Sequence, residues 1–292
     1  MSDAAAVRAP GRKRSKRARP RPDAWAWTGI VIVAIGIFLA VFGPYLAPYK
    51  VGQIVTGVFG SPSAEAWMGG DALGRDIFSR LLYGARLTVG VALAATVAGF
   101  LLGMAVGFSA AEIRGRFDDV VTWGVDVFLS FPPILLALIV IAALSSDLTV
   151  LIATIAVIHA SRVARVSRAI AMNIAALEFV EVARARGEKL ISILVREIWP
   201  STVRPLAVEF GLRMTYSILF LSSLSFLGLG IQPPDADWGS MVRENLNSLR
   251  TGDYIAVLAP AIAIGVLTVG VNLIVDWLGS HSGRSISEEL TK

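Results

Sequence analysis

The sequence contains no cysteine and only two histidines, His159 and His281. Without cysteine the chain cannot form a disulfide, a thiolate zinc site or a cysteine nucleophile. Two histidines are also too few for most histidine-based metal sites or catalytic triads. Charged residues are scarce, at 17% of the chain, whereas ordinary soluble domains carry about 25%. The composition therefore argues against soluble-enzyme chemistry, and no metal or cofactor is expected to bind to this chain.

Hydrophobic residues make up 55% of the chain, and the mean hydropathy is +0.66. They cluster in runs of roughly twenty residues, the length at which a helix crosses a hydrocarbon core about 30 Å thick. The sequence therefore predicts an all-α integral membrane protein with six transmembrane helices. The predicted spans are about 27–46, 87–110, 120–144, 148–160, 205–229 and 254–278.

Two of these spans are irregular. Phe131-Pro132-Pro133 interrupts the third span, because proline lacks an N–H donor and clashes with the preceding turn. The fourth span is short for a crossing, so its helix must begin inside the preceding turn or continue toward Arg165. The chain is thus divided into a basic tail (1–24), a first span (25–49), an extracytoplasmic segment (50–85), a membrane core of five spans (86–278) and a polar tail (279–292).

The distribution of basic residues orients the bundle. The first 23 residues hold eight Lys or Arg and no interleaved aromatic residue, which favours a solvated tail facing anionic lipid over a nucleic-acid site. Residues 161–204 hold eight more, whereas residues 229–253 hold only Arg243 and Arg250. The positive-inside rule then places the N-terminus and the 161–204 loop in the cytoplasm. The protein is expected in the inner cell membrane. Six spans return the C-terminus to the cytoplasm as well.

Three glycines recur at every fourth residue of the second span, namely Gly99, Gly103 and Gly107. Such a ridge of small residues lets another helix approach closely. The sequence leaves open whether that helix belongs to the same chain or to another subunit.

The stretch 178–187 is filled with good helix formers, and Gly187 can adopt the left-handed conformation that closes a helix. A second helical run is expected over 188–198, ended by Pro200. Two short helices would then meet at a glycine corner. Small side chains would let this corner fit into a cleft on a partner; these are Ala183 and Ala185.

This stretch resembles the EAA loop of importer-type ABC permeases, in which a coupling helix docks into a groove of the ATPase subunit. The resemblance rests on Glu181-Val182-Ala183, on Gly187 four residues after Ala183, and on Pro200. The chain departs from the family pattern at Val182, Glu197 and Trp199. The resemblance implies an ATPase-docking loop made of Glu181, Val182, Ala183, Arg184, Ala185, Gly187 and Pro200.

Three further blocks are similar to the dipeptide, oligopeptide and nickel permeases of this class. Leu73-Gly74-Arg75-Asp76 is similar to the block before their second span, and Asp126-Val127 with Phe131-Pro132 is similar to their third span. Residues 224–239, with Gln232-Pro233-Pro234, are similar to the exit of their fifth span. The chain therefore resembles the C-type subunit of that group. The resemblance implies a type I ABC importer permease fold with a cytoplasmic coupling-helix loop between spans 4 and 5.

The resemblance also implies a set of partners. They are a homologous permease, two ABC ATPase subunits and an extracytoplasmic solute-binding protein, assembled in the lipid bilayer and without nucleic acid. The chain has no Gly-x-x-x-x-Gly-Lys-Ser/Thr phosphate loop. ATP and Mg²⁺ are therefore expected on the ATPase subunits, and this chain is expected to be a non-catalytic membrane subunit.

Ionisable and polar residues inside predicted spans are functional candidates. Glu209 and Arg213 lie four residues apart on one helical face, where they can pair structurally or where Arg213 can face a solute carboxylate. Asp126 precedes the proline break and can either support the freed backbone or line the pathway. Asn272 lies near the inner end of the sixth span.

Two other transport classes compete with the importer. Arg162, Arg165 and Arg168 recur at every third residue, as in a voltage-sensing helix, but no potassium-channel filter sequence is present. A secondary transporter driven by an ion gradient is the main alternative. Internal repeats are common in that class, and none is visible here.

Overall fold

The computed structural model describes residues 23–175, 177–188, 192–193, 196 and 199–290. Within these residues it contains ten α-helices and no β-strand. The helices are α1 (Ala24–Leu46), α2 (Ile77–Ile113), α3 (Gly115–Ser130), α4 (Pro133–Ala143), α5 (Leu148–Ala175), α6 (Glu178–Ala185), α7 (Trp199–Phe226), α8 (Trp238–Glu244), α9 (Ser248–Thr251) and α10 (Ile255–Leu290). The expected all-α class is confirmed.

Four helices are long and apolar enough to cross a membrane: α1, α2, α5 and α10. The pair α3 and α4 makes a fifth if it is one span, broken by an 88° bend. Helix α7 has 28 residues, and it is less apolar than these because it carries Glu209 and Arg213. The described helices therefore define a membrane protein with four or five apolar spans, and the count of six stays a prediction.

The bend between α3 and α4 lies at the expected proline pair. Phe131 and Pro132 have extended backbone, with ψ of 140° and 122°. A residue that precedes proline is driven out of the helical region by a clash with the proline ring. Pro133 then opens α4, at a first-turn position where its missing N–H costs nothing.

Helix α5 runs unbroken from Leu148 to Ala175. Of the two alternatives for the short fourth span, continuation past Arg165 is therefore correct. Residues 161–175 were expected in a cytoplasmic loop, and they form the last part of this helix instead.

The position of Pro200 also differs from the expectation that it ends a helix. Pro200 lies in the first turn of α7, which begins at Trp199. The first N–H groups of a helix have no intrahelical partner, so proline is tolerated there. Residues 189–191, 194–195 and 197–198 of the expected second run lie outside the described residues.

The glycine ridge of α2 packs against α5 of the same chain. A Cβ atom on Gly99, Gly103 or Gly107 would lie 2.5, 2.6 or 2.4 Å from a backbone carbonyl oxygen of α5. Only hydrogen at these positions allows the two backbones to approach so closely. The question that the sequence left open is therefore decided in favour of packing within the chain.

Helix α1 attaches to the bundle through a second set of glycines. Its buried residues are Ala26, Gly29, Gly36 and Gly43. A Cβ on Gly29 would lie 2.8 Å from the carbonyl oxygen of Gly270 in α10, and one on Gly43 would lie 2.6 Å from that of Leu82 in α2. The large side chains of α1 point away from the bundle, as expected for a helix that faces lipid.

Helix α2 begins at Ile77, ten residues before the predicted span. Asp76 caps it: its carboxylate accepts hydrogen bonds from the backbone N–H and the hydroxyl of Ser79, at 2.8 and 2.6 Å. This N-cap satisfies donors that the first turn would otherwise leave unpaired. At the other end of the chain, α10 continues through most of the expected polar tail.

Candidate functional site

The coupling segment forms the short helix α6. Val180 and Ala183 are fully buried and pack with Phe108, Ala171 and Leu206, which belong to α2, α5 and α7. Ala183 was expected at the corner that faces a partner, whereas the structure turns it toward this chain's own core. Its small side chain therefore packs α6 into this cluster, where α6 lies mainly against α5.

The opposite face of α6 is open. Val182 is 52% exposed, and Ala185 and Gly187 are exposed as well. These three residues therefore form the outer surface of the segment. The side chains of Glu181, Arg184 and Pro200 lie outside the part of the chain that the structure describes.

Gly187 ends this helix as expected from the sequence. Its φ angle is +76°, in the left-handed region that favours glycine. The N–H of Glu188 donates to the carbonyl of Ala183 at 3.2 Å, which completes a Schellman closure. Arg186 forms an ion pair with Glu188 at 2.7 Å, and this guanidinium holds the pKa of the Glu188 carboxyl below its ordinary value.

Within the membrane core, Glu209 and Arg213 form the pair that their spacing predicts. Arg213 Nε lies 2.8 Å from Glu209 Oε1, so the two side chains form an ion pair. These two atoms do not form a hydrogen bond with each other. Both side chains are buried, and the guanidinium lies 4.9 Å from the ring centroid of Tyr216. Pairing reduces the cost of burying both charges, and the ring adds a cation–π contact.

Arg213 also lines a cavity of about 300 Å³ between α4, α5 and α7. His159 and Arg162 of α5 reach the same cavity, and Tyr216 and Ser223 of α7 complete its polar lining. His159 is 4% exposed, and neither ring nitrogen has a hydrogen-bond partner among the described residues. The sequence predicted the pairing of Arg213 but not this cavity. The walls that α4 and α5 contribute come from residues at least fifty positions before Arg213.

Asp126 pairs with Arg165 of α5, across the space between α3 and α5. Arg168 makes a second, two-point ion pair with Asp118, closer to the start of α3. Asp126 thus contacts a neighbouring helix and not the backbone at the proline break. The two pairs join α3 to α5 along one side.

Asn272 of α10 accepts a hydrogen bond from the hydroxyl of Thr215 in α7, at 3.1 Å. It therefore lies between two long helices and outside the cavity that holds Arg213. Within the described residues, no three His, Asp or Glu side chains are grouped so that they could hold a metal ion.

A buried ionic cluster joins residues 71–80 to the end of α8. Arg75 and Arg80 each contact both Asp71 and Glu244, at 2.5–2.8 Å. Asp71 and Glu244 were not predicted from the sequence. These two carboxylates compensate the buried charges of Arg75 and Arg80.

Two further contacts strengthen this junction. Asn245 accepts a hydrogen bond from the backbone N–H of Ala72 at 2.9 Å, and the indole N–H of Trp238 donates to the carbonyl of Leu81 at 3.0 Å. Asp237 caps α8 through a capping box with Ser240. Burial raises the pKa of the Asp237 carboxyl, although hydrogen bonds from Gly239 and Ser240 oppose the change.

Residues 99–288 match the family described as the binding-protein-dependent transport system inner membrane component. This match covers well over half of the chain, so the protein belongs to that family. It is a permease subunit of an ABC importer, and an ion-gradient transporter is not favoured. Members of the family function in membrane complexes with ATPase and binding-protein partners.

Individual relatives agree with this assignment. The glutathione transport system permease protein GsiD of Pectobacterium atrosepticum is 34% identical over 256 residues, with 85% of each chain covered. GsiD of Escherichia coli is 35% identical over 250 residues, covering 85% of this chain and 82% of the relative. GsiD of Shigella boydii has the same identity and coverage.

Proposed function

We propose that this chain and a homologous permease together form the translocation pathway of an ATP-driven importer for peptides or similar small solutes. The named substrate of the relatives, glutathione, is itself a small peptide. The observation that carries the proposal is α6, a short helix that is anchored on one face and open on the other. This is the arrangement needed to transmit the movement of an attached partner.

In this proposal the chain crosses the inner membrane six times, through α1, α2, the bent pair α3–α4, α5, α7 and α10. Both termini lie in the cytoplasm, as the basic residues of the N-terminal tail require. Helix α6 and Gly187 lie on the same side, where two ABC ATPase subunits dock. The extracytoplasmic binding protein delivers the solute on the opposite side.

The homologous permease would cover α3. None of the 16 residues of this helix is buried within the described part of the chain, and Val120 and Trp123 are about two-thirds exposed. Asp119 is exposed on the same helix, and a charge there disfavours lipid and favours a protein partner. The pathway would then run between the two permeases.

The proposed mechanism is alternating access driven by ATP and Mg²⁺ on the partner ATPases. When ATP closes the ATPase pair, the docked α6 moves with it. Val180 and Ala183 connect α6 to α2, α5 and α7, so the displacement reaches these helices as rigid bodies and opens the pathway outward. Hydrolysis would then reset the inward-open state.

Co-purification of the ATPase subunits tests this proposal. The chain would be tagged and co-expressed with a homologous permease and its ATPases, and wild type would be compared with Gly187→Trp and Glu181→Arg. Among the described residues no atom lies within 4 Å of a Cβ on Gly187, so tryptophan would project onto the docking surface and not into the packing of these residues. The ATPases should co-purify with wild type and be lost from both variants.

Two controls separate docking from local strain. Gly187→Ala has the same strained φ angle as the tryptophan variant but little bulk, and it should keep the ATPases bound. Gly52→Trp adds the same bulk at an exposed, uncontacted glycine of the extracytoplasmic segment, and it should also keep them. Equal recovery of ATPase from wild type and from both docking variants would refute the role of α6. Failure of wild type to bind any ATPase would favour a stand-alone transporter.

A further inference from the structure

The cavity between α4, α5 and α7 is lined by two guanidinium groups and one imidazole. Arg162 and His159 enter it from α5, and Arg213 enters from α7. Among the described residues, Glu209 is the only carboxylate that forms an ion pair with any of these cations, so the positive charge is only partly compensated.

The three arginines of α5 differ sharply in their partners. Arg165 is paired with Asp126, and Arg168 is paired with Asp118. Arg162, one turn earlier, has no hydrogen bond or ion pair among the described residues. It is therefore the member of this series whose charge is free to meet a ligand.

Two buried groups next to Arg162 also have nitrogen atoms without a hydrogen-bond partner among the described residues. Arg213 Nη1 makes no hydrogen bond, and neither ring nitrogen of His159 does, although the imidazole is more than nine-tenths buried. Buried polar groups in proteins are nearly always hydrogen-bonded. Two side chains around one cavity, Arg213 with Nη1 and His159 with one ring N–H, therefore have donors without an acceptor.

We propose that this cavity is an oxyanion subsite of the translocation pathway, which receives the carboxylate of the solute as it passes. The inference rests on the proposed function, which it deepens by naming a charge preference. Arg162 and Arg213 would bind the carboxylate through charge-assisted hydrogen bonds, and guanidinium groups suit such two-point contacts. His159 would add a further donor from the buried wall.

Arg213 lies fourteen residues after the start of α7, a distance of about 21 Å along the helix. The cavity is therefore set back from both ends of α7. Tyr216 is 48% exposed at its edge, so the cavity opens toward the face that a second permease would cover.

A larger cavity of about 510 Å³ lies between α1, α2, α7 and α10. Its walls are aliphatic and aromatic side chains, including Val33, Phe100 and Val271. Such walls offer no charged or amide group to hold a peptide terminus. The smaller, cationic cavity is therefore the better candidate for recognising the solute.

Protection of arginines from phenylglyoxal tests the subsite in the assembled complex. The complex of this chain with its permease and ATPase partners would be labelled in detergent, with alanyl-alanine or alanyl-alanine amide at equal millimolar concentrations. Mass spectrometry would measure modification of Arg162 and Arg213. Arg250, exposed on α9, would serve as the internal reference.

Alanyl-alanine should protect Arg162 and Arg213 at about a tenfold lower concentration than the amide, since charge-assisted hydrogen bonds are roughly twice as strong as neutral ones. Labelling of Arg250 should not change. In Arg162→Gln the protection of Arg213 should be lost, whereas in the matched control Arg165→Gln it should persist.

Three results would overturn the inference. Equal protection by the two dipeptides would show that the site does not distinguish a carboxylate. Equal loss of Arg213 protection in Arg162→Gln and Arg165→Gln would show that any positive charge on α5 has the same effect. Arg162 would then not bind the carboxylate directly. An Arg162 that resists labelling without any dipeptide would show that a carboxylate of the homologous permease already occupies the site. Each leaves the importer function standing as long as the ATPases co-purify.

Discussion

Replacing Gly103 with alanine should destabilise the protein by separating α2 from α5. The new Cβ would lie 2.6 Å from the carbonyl oxygen of Ala160 and 2.6 Å from Cβ of Val163. Ordinary contacts of this kind begin near 3.4 Å. Neither neighbouring atom can swing away, because one belongs to the backbone and the other is attached directly to it. The helices must therefore move apart by several tenths of an ångström or more.

Gly90→Ala on the same helix isolates the packing cost. A Cβ on Gly90 meets no atom within 4 Å. Both variants gain the same preference of alanine over glycine in a helix, about 1 kcal/mol, so this gain cancels when they are compared. Overpacking a close contact costs about 1–3 kcal/mol. Gly103→Ala should therefore be less stable than Gly90→Ala by about that amount.

Unfolding by SDS in mixed micelles, followed by circular dichroism, would measure this difference. Gly103→Ala should unfold at a lower SDS fraction than wild type, and Gly90→Ala at the same fraction or a higher one. If the two variants unfold at the same SDS fraction, α2 and α5 are not in the close contact described, and the reasoning fails. If Gly90→Ala is the weaker variant, Gly90 has a neighbour that the described residues do not provide, and the control is invalid.

The same titration tests the buried ionic cluster of Asp71, Arg75, Arg80 and Glu244. Arg80→Gln should lower the free energy of unfolding by about 3–5 kcal/mol, because it removes one partner from the buried carboxylates of Asp71 and Glu244. The control Arg86→Gln, at an exposed position, should change it by less than about 0.5 kcal/mol. Equal effects of the two variants would argue against the cluster. At Asp237, burial raises the folded-state pKa, so the carboxyl contributes stability below its unfolded pKa of about 3.9 and loses it as the pH rises through the folded value. Wild type should therefore lose stability relative to Asp237→Asn as the pH is raised above the unfolded pKa, and a gap that does not vary with pH would contradict this.

Features that depend on local sequence could be predicted well. The all-α class follows from long apolar runs, and the break at Pro132 follows from the steric effect of proline on the residue before it. Gly187 was expected to close a helix, and its φ of +76° does so. The Glu209–Arg213 pair follows from helical spacing alone. In each case the partners are within a few residues of each other.

Features that depend on distant partners could not be predicted. Gly29, Gly36 and Gly43 are spaced by seven, but only the structure shows that they face α10 and α2. Asp71 and Glu244 are ordinary acidic residues in the sequence, 173 positions apart. Their importance comes from the two arginines that they share. Continuation of α5 toward Arg165 was one of two alternatives, but its extension to Ala175 was not predicted. Carboxylates on α3 pair with Arg165 and Arg168 and allow them to remain in a helix.

The arginines of α5 show most clearly what the structure adds. In the sequence, Arg162, Arg165 and Arg168 form one regular series, and any role given to one applies equally to the others. A period of three advances about 300° around a helix, so successive members point in different directions. Arg165 and Arg168 reach carboxylates on α3, while Arg162 is turned toward the cavity with Arg213 and His159. A charge inside a membrane is costly unless it is paired or used. Arg162, the unpaired member, is therefore the one to which we assign a function in solute binding.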